Sequence, residues 1–310
     1  MSLSKSLLLR LSRSMTLRDF IIGFSVARRM SRRFVAGETL EEAIGAIRSL
    51  NQRGLLATID HLGESVTSEG EALQAMEEYL RALDGLAESG VDSGVSLKLT
   101  QMGLDIEQTF CQGNVAQIVE KAKRYGIFVR IDMEGSPHTE RTIQVYRALR
   151  QRYDNLGIVI QSYLYRSEGD VRQMIPQGLN VRLCKGAYDE PPDIAFPDKK
   201  DVDANLIKLT EMLLTEEARK AGCCPALATH DEKIIDWCKE HVQKEGIGKE
   251  EFEFQMLYGI RPRLQEELAA QGYRVRAYVA YGNSWYPYFM RRLAERPANL
   301  LWPLKNLFKA

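Results

Sequence analysis

Eight short apolar or alternating runs recur along the chain from about residue 55 onward, and helix-like segments separate most of them. The runs cover residues 56–60, 95–99, 128–132, 158–161, 180–184, 225–229, 252–257 and 274–279. Strands that alternate with helices pair in parallel through right-handed crossover connections. Eight such units in about 250 residues predict an α/β fold of the (β/α)8 barrel type. The main alternative is an open doubly wound sheet, but no GxGxxG motif opens any of the helices.

The predicted helices carry their own start and stop signals. The clearest cover residues 114–126, 142–149 with a start signal at Ser136-Pro137, 203–222 and 231–246. Before the first strand, Thr39 and Glu42 have the form of a capping box, and apolar residues follow at helical spacing as far as Gly54. We therefore divide the chain into an N-terminal helical segment, residues 1–54, packed on a catalytic barrel, residues 55–310.

The first 18 residues contain Lys5, Arg10, Arg13 and Arg18, several serines and no acid. That composition is typical of a mitochondrial transit peptide, and also of a basic amphipathic helix resting on a membrane surface. We favour a third interpretation, an extra helix packed on the main domain.

The overall composition excludes several classes of protein. Lys+Arg and Asp+Glu number 42 each, so no net charge recruits nucleic acid. The five cysteines are an odd number without CxxC spacing, which argues against a disulfide framework or a zinc site and fits a reducing compartment. No apolar run approaches the ~20 residues of a transmembrane helix. We expect a cytoplasmic protein, and peripheral association with the inner face of the membrane stays open.

The last predicted helix, residues 284–295, carries its polar residues on one stripe. Tyr288, Arg291, Arg292 and Glu295 follow the i, i+3, i+4, i+7 spacing, where a helix packed on a core normally places Leu or Ile. This stripe predicts an anion site just past the C-terminal end of a strand. The alternative is a solvated face with an Arg–Glu pair, although Trp285 and Tyr288 are poor choices for one.

Nearly every predicted strand ends in a side chain that can carry charge or form hydrogen bonds, and a barrel places function at those ends. In order, they are Asp60, Glu64, Lys98, Asp132, Glu134, Gln161, Arg182, Lys185, Thr229, His230, Gln255 and Tyr278. Lys98 lies on one face of its strand, where it could form a Schiff base, bind a carboxylate, or only pair with Asp132 for structure. No His/Asp/Glu set has metal-ligand spacing and no GxSxG motif is present, so we predict no metal site. The cations suit an anionic ligand and an anionic cofactor more than hydrolysis.

A long, charged, proline-rich segment, residues 188–205, follows the fifth predicted strand. In a barrel this segment lies on the active face. Long loops within compact domains are commonly lids or disordered segments.

Six motifs together resemble the monofunctional bacterial proline dehydrogenases. They are SLK at 96–98, VRIDME at 129–134, QSYLYR at 161–166, VRLCKGAY at 181–188, ATH at 228–230 and YxxRR at 288–292 followed by Glu295. The resemblance implies a distorted (β/α)8 barrel with N-terminal helices and bound FAD. It also implies hydride transfer from L-proline to the flavin, giving 1-pyrroline-5-carboxylate in the first step of proline catabolism, with electrons passed to a membrane quinone.

The resemblance also assigns roles to residues. It makes Asp132 and Arg182 catalytic, with Arg182 near the flavin's reactive nitrogen. It places at the substrate Lys98, Tyr278, Tyr288, Arg291, Arg292 and Glu295, with Asp132 and Glu295 holding the cations. It places around the flavin Met133, Gln161, Arg182, Lys185, Gly186, Ala187, Thr229 and His230. The N-terminal 35 residues match no motif of the family, so the resemblance does not decide membrane attachment.

Three other functions remain as alternatives. One is a methylenetetrahydrofolate reductase-like flavin barrel, and another is a Schiff-base aldolase that uses Lys98. The last is a non-enzymatic, membrane-associated adaptor built on the same barrel.

Overall fold

The computed structural model describes residues 31–295, with side chains through residue 292, and it contains eight parallel strands closed into a barrel in chain order. The strands are Leu56–His61 (β1), Ser93–Lys98 (β2), Val129–Asp132 (β3), Leu156–Gln161 (β4), Asn180–Cys184 (β5), Cys224–Ala228 (β6), Glu253–Leu257 (β7) and Val275–Tyr281 (β8). Closure comes from β1, which pairs with both β2 and β8. The predicted (β/α)8 barrel is confirmed, and the open doubly wound sheet is excluded.

Ten α-helices lie within the described residues, most of them between successive strands. They are Leu40–Asn51 (α1), Glu69–Ser89 (α2), Gln108–Arg124 (α3), Ser136–Arg150 (α4), Ser167–Met174 (α5), Lys199–Leu214 (α6), Glu216–Lys220 (α7), Glu232–Lys244 (α8), Pro262–Ala270 (α9) and Trp285–Glu295 (α10). The predicted capping box of Thr39 and Glu42 is present at α1, and Ser68 and Glu71 form a second one at α2. None of the described helices is long and apolar enough to cross a bilayer.

Three boundaries differ from the sequence prediction. The helix predicted over residues 203–222 is interrupted at Thr215, whose extended backbone and hydroxyl start α7 as a new N-cap. The helix predicted from residue 114 begins six residues earlier, at Gln108. The loop after β5 ends at Asp198 rather than at residue 205, because α6 starts at Lys199.

The predicted N-terminal segment, residues 1–54, lies only partly within the described residues. Helix α1 lies within it, contacting β1 and β8, whereas residues 1–30 and the interpretations of their basic stretch lie outside the described residues. The division at residue 54 therefore stays a prediction.

The two faces of the strands differ sharply in polarity. Outward-facing residues such as Ile59, Leu97 and Ile131 are buried with the helices in one large apolar core. Barrel interiors are usually filled by layers of Val, Ile and Leu. Here the alternation of the strands instead places polar and charged side chains inside. They include Thr58, Asp60, Ser96, Lys98, Arg130, Asp132, Gln161, Arg182, Glu253, Gln255, Arg276 and Tyr278.

Helix α10 packs apart from that main core. Its buried residues Trp285, Tyr288 and Phe289 form a second apolar cluster that includes Leu62, directly after β1, and Ala280 near the end of β8. The helix is therefore held at the C-terminal ends of β8 and β1, on the face where a barrel carries its site.

Candidate active site

The amine of Lys98, at the end of β2, lies inside the barrel with carboxylates on two sides. Its Nζ donates to both oxygens of Asp60 on β1, at 3.1 and 3.0 Å, and lies 3.9 Å from Asp132 Oδ2 on β3. Lys98 is 7% exposed and Asp60 is fully buried, so the pair is shielded from solvent. The sequence indicated Asp132 as the partner, but Asp60 is nearer because closure of the barrel brings β1 beside β2.

The charge state of Lys98 bears on whether this lysine acts as a Schiff-base nucleophile or binds a carboxylate. Burial alone would lower the pKa of its amine, but Asp60, Asp132 and Glu64 raise that pKa above its ordinary value. A lysine held as an ammonium is a poor nucleophile and a good carboxylate ligand. The site therefore disfavours the Schiff-base aldolase.

Asp132 connects three strands beneath Lys98. Its Oδ1 accepts from Arg182 Nη1 on β5 at 2.7 Å, and its Oδ2 accepts from the Tyr278 hydroxyl on β8 at 2.7 Å. Burial, followed by the nearness of Asp132, raises the pKa of the Tyr278 phenol, so this donor keeps its proton. The Arg182 guanidinium also lies over the Tyr278 ring, 5.1 Å from its centroid. The aspartate thus fixes a cation and an aromatic ring against each other.

Two further side chains hold Arg182 in place. Its Nη2 donates to Ser96 Oγ on β2 at 3.0 Å, and its Nε donates to Gln255 on β7. With Asp132, these contacts engage three nitrogens of a guanidinium that is 6% exposed. Arg182 is therefore fixed across the full width of the barrel.

The polar stripe of α10 faces the protein, so the solvated-face interpretation is wrong for its described members. Tyr288 and Arg292 are 5% and 9% exposed, and the Arg292 guanidinium lies 5.2 Å from the centroid of the Tyr288 ring. Arg291 Nη1 donates to Glu64 Oε1, just beyond β1, at 2.8 Å. The fourth member, Glu295, ends the helix, and its side chain lies outside the described part of the chain.

The Arg291–Glu64 contact is an ion pair with both members charged. Burial alone would raise the pKa of the Glu64 carboxyl, but Arg291 lowers it below its ordinary value. Burial alone would lower the pKa of Arg291, but Glu64 and then Tyr188 raise it. Tyr188, in the loop after β5, and Lys98 both act on this pair. Arg291 and Lys98 therefore face one region at the mouth of the barrel.

The residues predicted to surround a flavin lie around the other half of the mouth. Gln161, at the end of β4, is 3% exposed, and its Oε1 has no hydrogen-bond partner among the described residues. Thr229 is buried after β6, and His230 Nε2 accepts from the backbone N–H of Leu257 at 3.0 Å. Gly186 and Ala187 are half-buried beside them in the β5–α6 loop, whereas Met133 packs into the apolar core. An orphan amide oxygen within this half of the mouth suits a ligand that offers an N–H.

Lys185, which the resemblance places at the flavin, is paired with two carboxylates. Its Nζ lies 2.6 Å from Asp203 Oδ1 and 2.9 Å from Asp231 Oδ2. Lys199 contacts the same two carboxylates, which makes a four-membered cluster without net charge. An anionic ligand group reaching Lys185 would take the place of a carboxylate.

Several side chains of the site were not assigned roles from the sequence. Asp60, Glu64 and Gln255 were recognised only as strand-end polar residues, and Ser96 was noted only as part of a motif. The available signal was the two-residue alternation, which puts Ser96 on the same face as Lys98 and Gln255 on the same face as Glu253. The pairing of Glu64 with Arg291 had no such signal, because it joins residues 227 positions apart.

Comparisons with known proteins agree with this architecture. Residues 43–300 match the family model described as proline dehydrogenase. The chain is 46% identical over 299 residues to Proline dehydrogenase 1 of Bacillus subtilis (strain 168), a match that covers 96% of this chain and 97% of that protein. It is 41% identical over 285 residues to the proline dehydrogenase of Deinococcus radiodurans, and 90% of each chain is covered.

A solved structure extends the comparison to three dimensions. Proline utilization A (PutA) from Bdellovibrio bacteriovorus, inactivated by N-propargylglycine, superposes with a TM-score of 0.80 at 28% identity. The match covers 86% of this chain and 32% of that longer chain. With the family model covering most of its length and two relatives aligned nearly end to end, this chain belongs to the proline dehydrogenase family.

Proposed function

We propose that this protein oxidises L-proline to 1-pyrroline-5-carboxylate with FAD as its cofactor. The observation that carries the proposal is the buried network at the barrel mouth, in which Lys98, Arg182 and Arg291 each pair with a carboxylate from another element. A fixed set of cations beside an aromatic ring suits a small, cyclic amino acid whose carboxylate must be held in one orientation. Membership of the proline dehydrogenase family supports the same substrate.

Lys98, Arg291 and Arg292 would bind the substrate carboxylate. Lys98 and Arg291 keep their charge because neighbouring acids raise the pKa of each. Arg291 Nη1 already donates to Glu64 Oε1 at 2.8 Å. Its guanidinium is therefore largely out of bulk water before the substrate binds. Charge-assisted bonds of this kind are worth roughly 1.5–3 kcal/mol each.

Tyr278 and Tyr288 would line the substrate ring. The Tyr278 phenol is anchored to Asp132 at 2.7 Å and stacked under Arg182, so its ring is fixed before substrate binds. A fixed aromatic wall excludes water and leaves the ring carbon next to nitrogen in one place. That orientation matters because oxidation removes a hydride from this carbon and protons from the adjacent nitrogen.

The residues predicted to surround a flavin have the chemistry to hold one, since they offer hydrogen-bond donors, an unpaired acceptor and backbone without bulky side chains. When bound, FAD supplies the two-electron acceptor that the side chains of the site lack. Gln161 and its orphan Oε1, together with Met133, Lys185, Gly186, Ala187, Thr229 and His230, would hold it. Arg182 would add positive charge from the side of the substrate, held there by Asp132 and Ser96.

The proposal extends to the fate of the electrons and to location. A membrane quinone would accept the electrons, which requires at least transient contact of a cytoplasmic protein with the inner face of the membrane. The basic stretch in residues 1–18 offers charge for such contact with an anionic surface.

The absorbance spectrum of the purified protein tests the proposal. We expect a yellow protein whose flavin band is bleached by L-proline without oxygen and restored by a soluble quinone. Bleaching by NADH but not by proline would instead support a methylenetetrahydrofolate reductase-like enzyme. A colourless protein that stays inert with proline and added FAD would contradict the proposal and leave the adaptor.

A further inference from the structure

A cavity with several charged side chains in its wall lies at the N-terminal end of the barrel, opposite the mouth that carries the candidate site. Its volume is about 130 Å³, and residues near the starts of the strands line it, among them Gly94, Asn180, Cys224 and Glu253. Arg182 also lines this cavity, and its guanidinium donates to Asp132 at the C-terminal end of β3.

The charges that line this cavity do not balance. Four arginines, Arg130, Arg182, Arg274 and Arg276, face one carboxylate, Glu253. Arg182 is already compensated by Asp132 on its other side. Two positive charges therefore remain without a matching acid in the cavity wall.

Arg130 is the clearest case of an uncompensated charge. Its guanidinium donates to the carbonyls of Ile158 and Asn180 at 3.2 and 3.3 Å and to Asn180 Oδ1 at 2.8 Å. These oxygens are neutral, and no carboxylate within residues 31–292 forms an ion pair with Arg130, which is 5% exposed. Burial, followed by the nearness of Arg182, lowers the pKa of Arg130, as expected for a cation without a counter-anion. A buried charge in this position is costly unless something neutralises it.

Glu253 cannot neutralise Arg130 as well, because two other arginines engage it. Arg276 binds it in a bidentate manner at 2.9 and 3.2 Å, and Arg274 lies 3.6 Å from its Oε2. Arg274 is also the most exposed of these cations, with 42% of its side chain accessible, so it marks the entrance.

The backbone makes room for this arrangement at Gly157 on β4. A Cβ at Gly157 would lie 2.8 Å from Arg130 Nη1 and 2.7 Å from the carbonyl oxygen of Asn180. Any side chain there would push the guanidinium out of place. The glycine is therefore part of what holds Arg130 at the cavity.

We propose that this lower cavity is a binding site for a small tetrahedral oxyanion of the sulfate and phosphate class. Such an ion is smaller than the cavity, carries up to two negative charges, and accepts the fork-like bonds that guanidinium groups donate. It would lie among Arg130, Arg274 and Arg276. Of the residues assigned to the substrate or the flavin, Arg182 alone is among the described residues that line this cavity. The proposal does not depend on the reaction at the upper mouth.

Calorimetric titration of the purified full chain with sodium sulfate, at constant ionic strength set by sodium chloride, tests the site. We expect saturable binding in the wild type and at least tenfold weaker binding in Arg130→Met, which loses a charged donor. Arg274→Met should lower the affinity for sulfate by about threefold. This arginine lies at the exposed entrance, so its replacement puts folding least at risk. Two controls should bind as the wild type does: Arg291→Met, at the upper mouth, and Arg172→Met, on the exposed face of α5.

Each other outcome overturns the proposal. Absence of saturable binding in the wild type would leave a water-filled cavity. Loss of binding in Arg291→Met but not in Arg274→Met would place the ion at the upper mouth instead. If Arg130→Met does not fold, an unchanged affinity in Arg274→Met decides against the site.

Discussion

At the scale of single residues, three cations of the upper site are each held by an acid that comes from a distant part of the chain. Lys98 is held by Asp60, Arg182 by Asp132, and Arg291 by Glu64. Removal of one partner from such a pair leaves the other buried without a counter-charge, which is strongly destabilising. Substitutions here therefore need a readout that separates loss of binding from loss of fold.

Replacement of an arginine on α10 should impair the use of L-proline without affecting the flavin content. We expect Arg291→Met and Arg292→Met each to lower kcat/KM for L-proline at least tenfold, since each loses charge-assisted bonds of roughly 1.5–3 kcal/mol. Flavin content should stay normal, because the residues proposed to hold the flavin are on other elements. Arg172→Met, an equally large change on a surface i,i+4 pair, is the control. Near-normal kinetics in both variants would remove α10 from the carboxylate site.

Tyr278 should set the preference for an unsubstituted ring. A hydroxyl added to the substrate would clash with this fixed ring or be buried without a partner. We therefore expect wild type to prefer L-proline strongly over trans-4-hydroxy-L-proline, and Tyr278→Ser to narrow the preference. Tyr278→Ser should also lower kcat/KM for L-proline itself, because packing contacts with the substrate ring are lost.

The measurement is the ratio of kcat/KM for the two substrates. Tyr278→Phe is the matched control, because it removes only the bond to Asp132 and keeps the ring. If Tyr278→Ser lowers both values equally and leaves the ratio unchanged, Tyr278 does not line the ring pocket.

At the scale of elements, the sequence located α10 well and the long loop less well. The stripe from Tyr288 to Arg292 revealed a helix whose polar face is buried, because helical spacing is a local property. The loop was predicted to reach residue 205, but its last residues form the first turns of α6. Proline and charge mark a loop, yet they do not say where Lys199 and its neighbours become helical, since lysine and aspartate also occur on exposed helix faces.

The contacts of this loop could not be predicted at all, because they join distant elements. Backbone bonds attach it to the segment after β4, from Tyr165 N to Ile194 O at 3.1 Å and from Phe196 N to Tyr163 O at 2.8 Å. Glu190 reaches the start of α4, where its Oε1 accepts from Ser136 N at 2.7 Å. The N-cap of α4 is Gly135, which has no side chain to cap the helix, so Glu190 supplies the cap from another element.

Loss of that remote cap should loosen the loop. We expect Glu190→Ala to lower the free energy of unfolding by about 1 kcal/mol, the usual value of a cap. It should also raise hydrogen exchange of the amides in residues 186–198 and of Ser136. Asp189→Ala, at the exposed neighbouring position, should change neither quantity. Unchanged exchange in Glu190→Ala would mean that the backbone bonds alone hold the loop.

At the scale of the whole molecule, the barrel was predictable, but the pairing of acids and cations in its interior was not. Eight units with strand and helix signals specify a closed barrel almost by count, because each signal is local. Which acid meets which cation depends on closure, register and shear. The choice of Asp60 over Asp132 by Lys98 is an example, since β1 and β2 must first be paired. Alternation predicted that Lys98 faces inward, but it could not name a partner from a strand 38 residues away.

These ion pairs join side chains from different strands, so the charge states of the site are a property of the whole barrel. Asp60, Asp132 and Glu64 raise the pKa of Lys98, and Glu64 raises that of Arg291, while Arg291 lowers that of Glu64. Lys98, Arg291 and Glu64 therefore keep their charges from about pH 6 to pH 9, and no strong base lies at the carboxylate site among the side chains that the structure describes. The substrate amine must lose its proton largely to solvent, so we expect kcat/KM for L-proline to rise across that range as the neutral amine becomes more abundant.

One carboxyl near the site has a raised pKa: burial raises that of Glu134, against the opposing bonds from Thr100. Glu134→Gln removes this group, and its profile should rise with the same slope as that of wild type. A flat wild-type profile would mean that deprotonation of proline does not limit kcat/KM in this range, and a rise that disappears in Glu134→Gln would assign the titration to Glu134 rather than to the amine of proline.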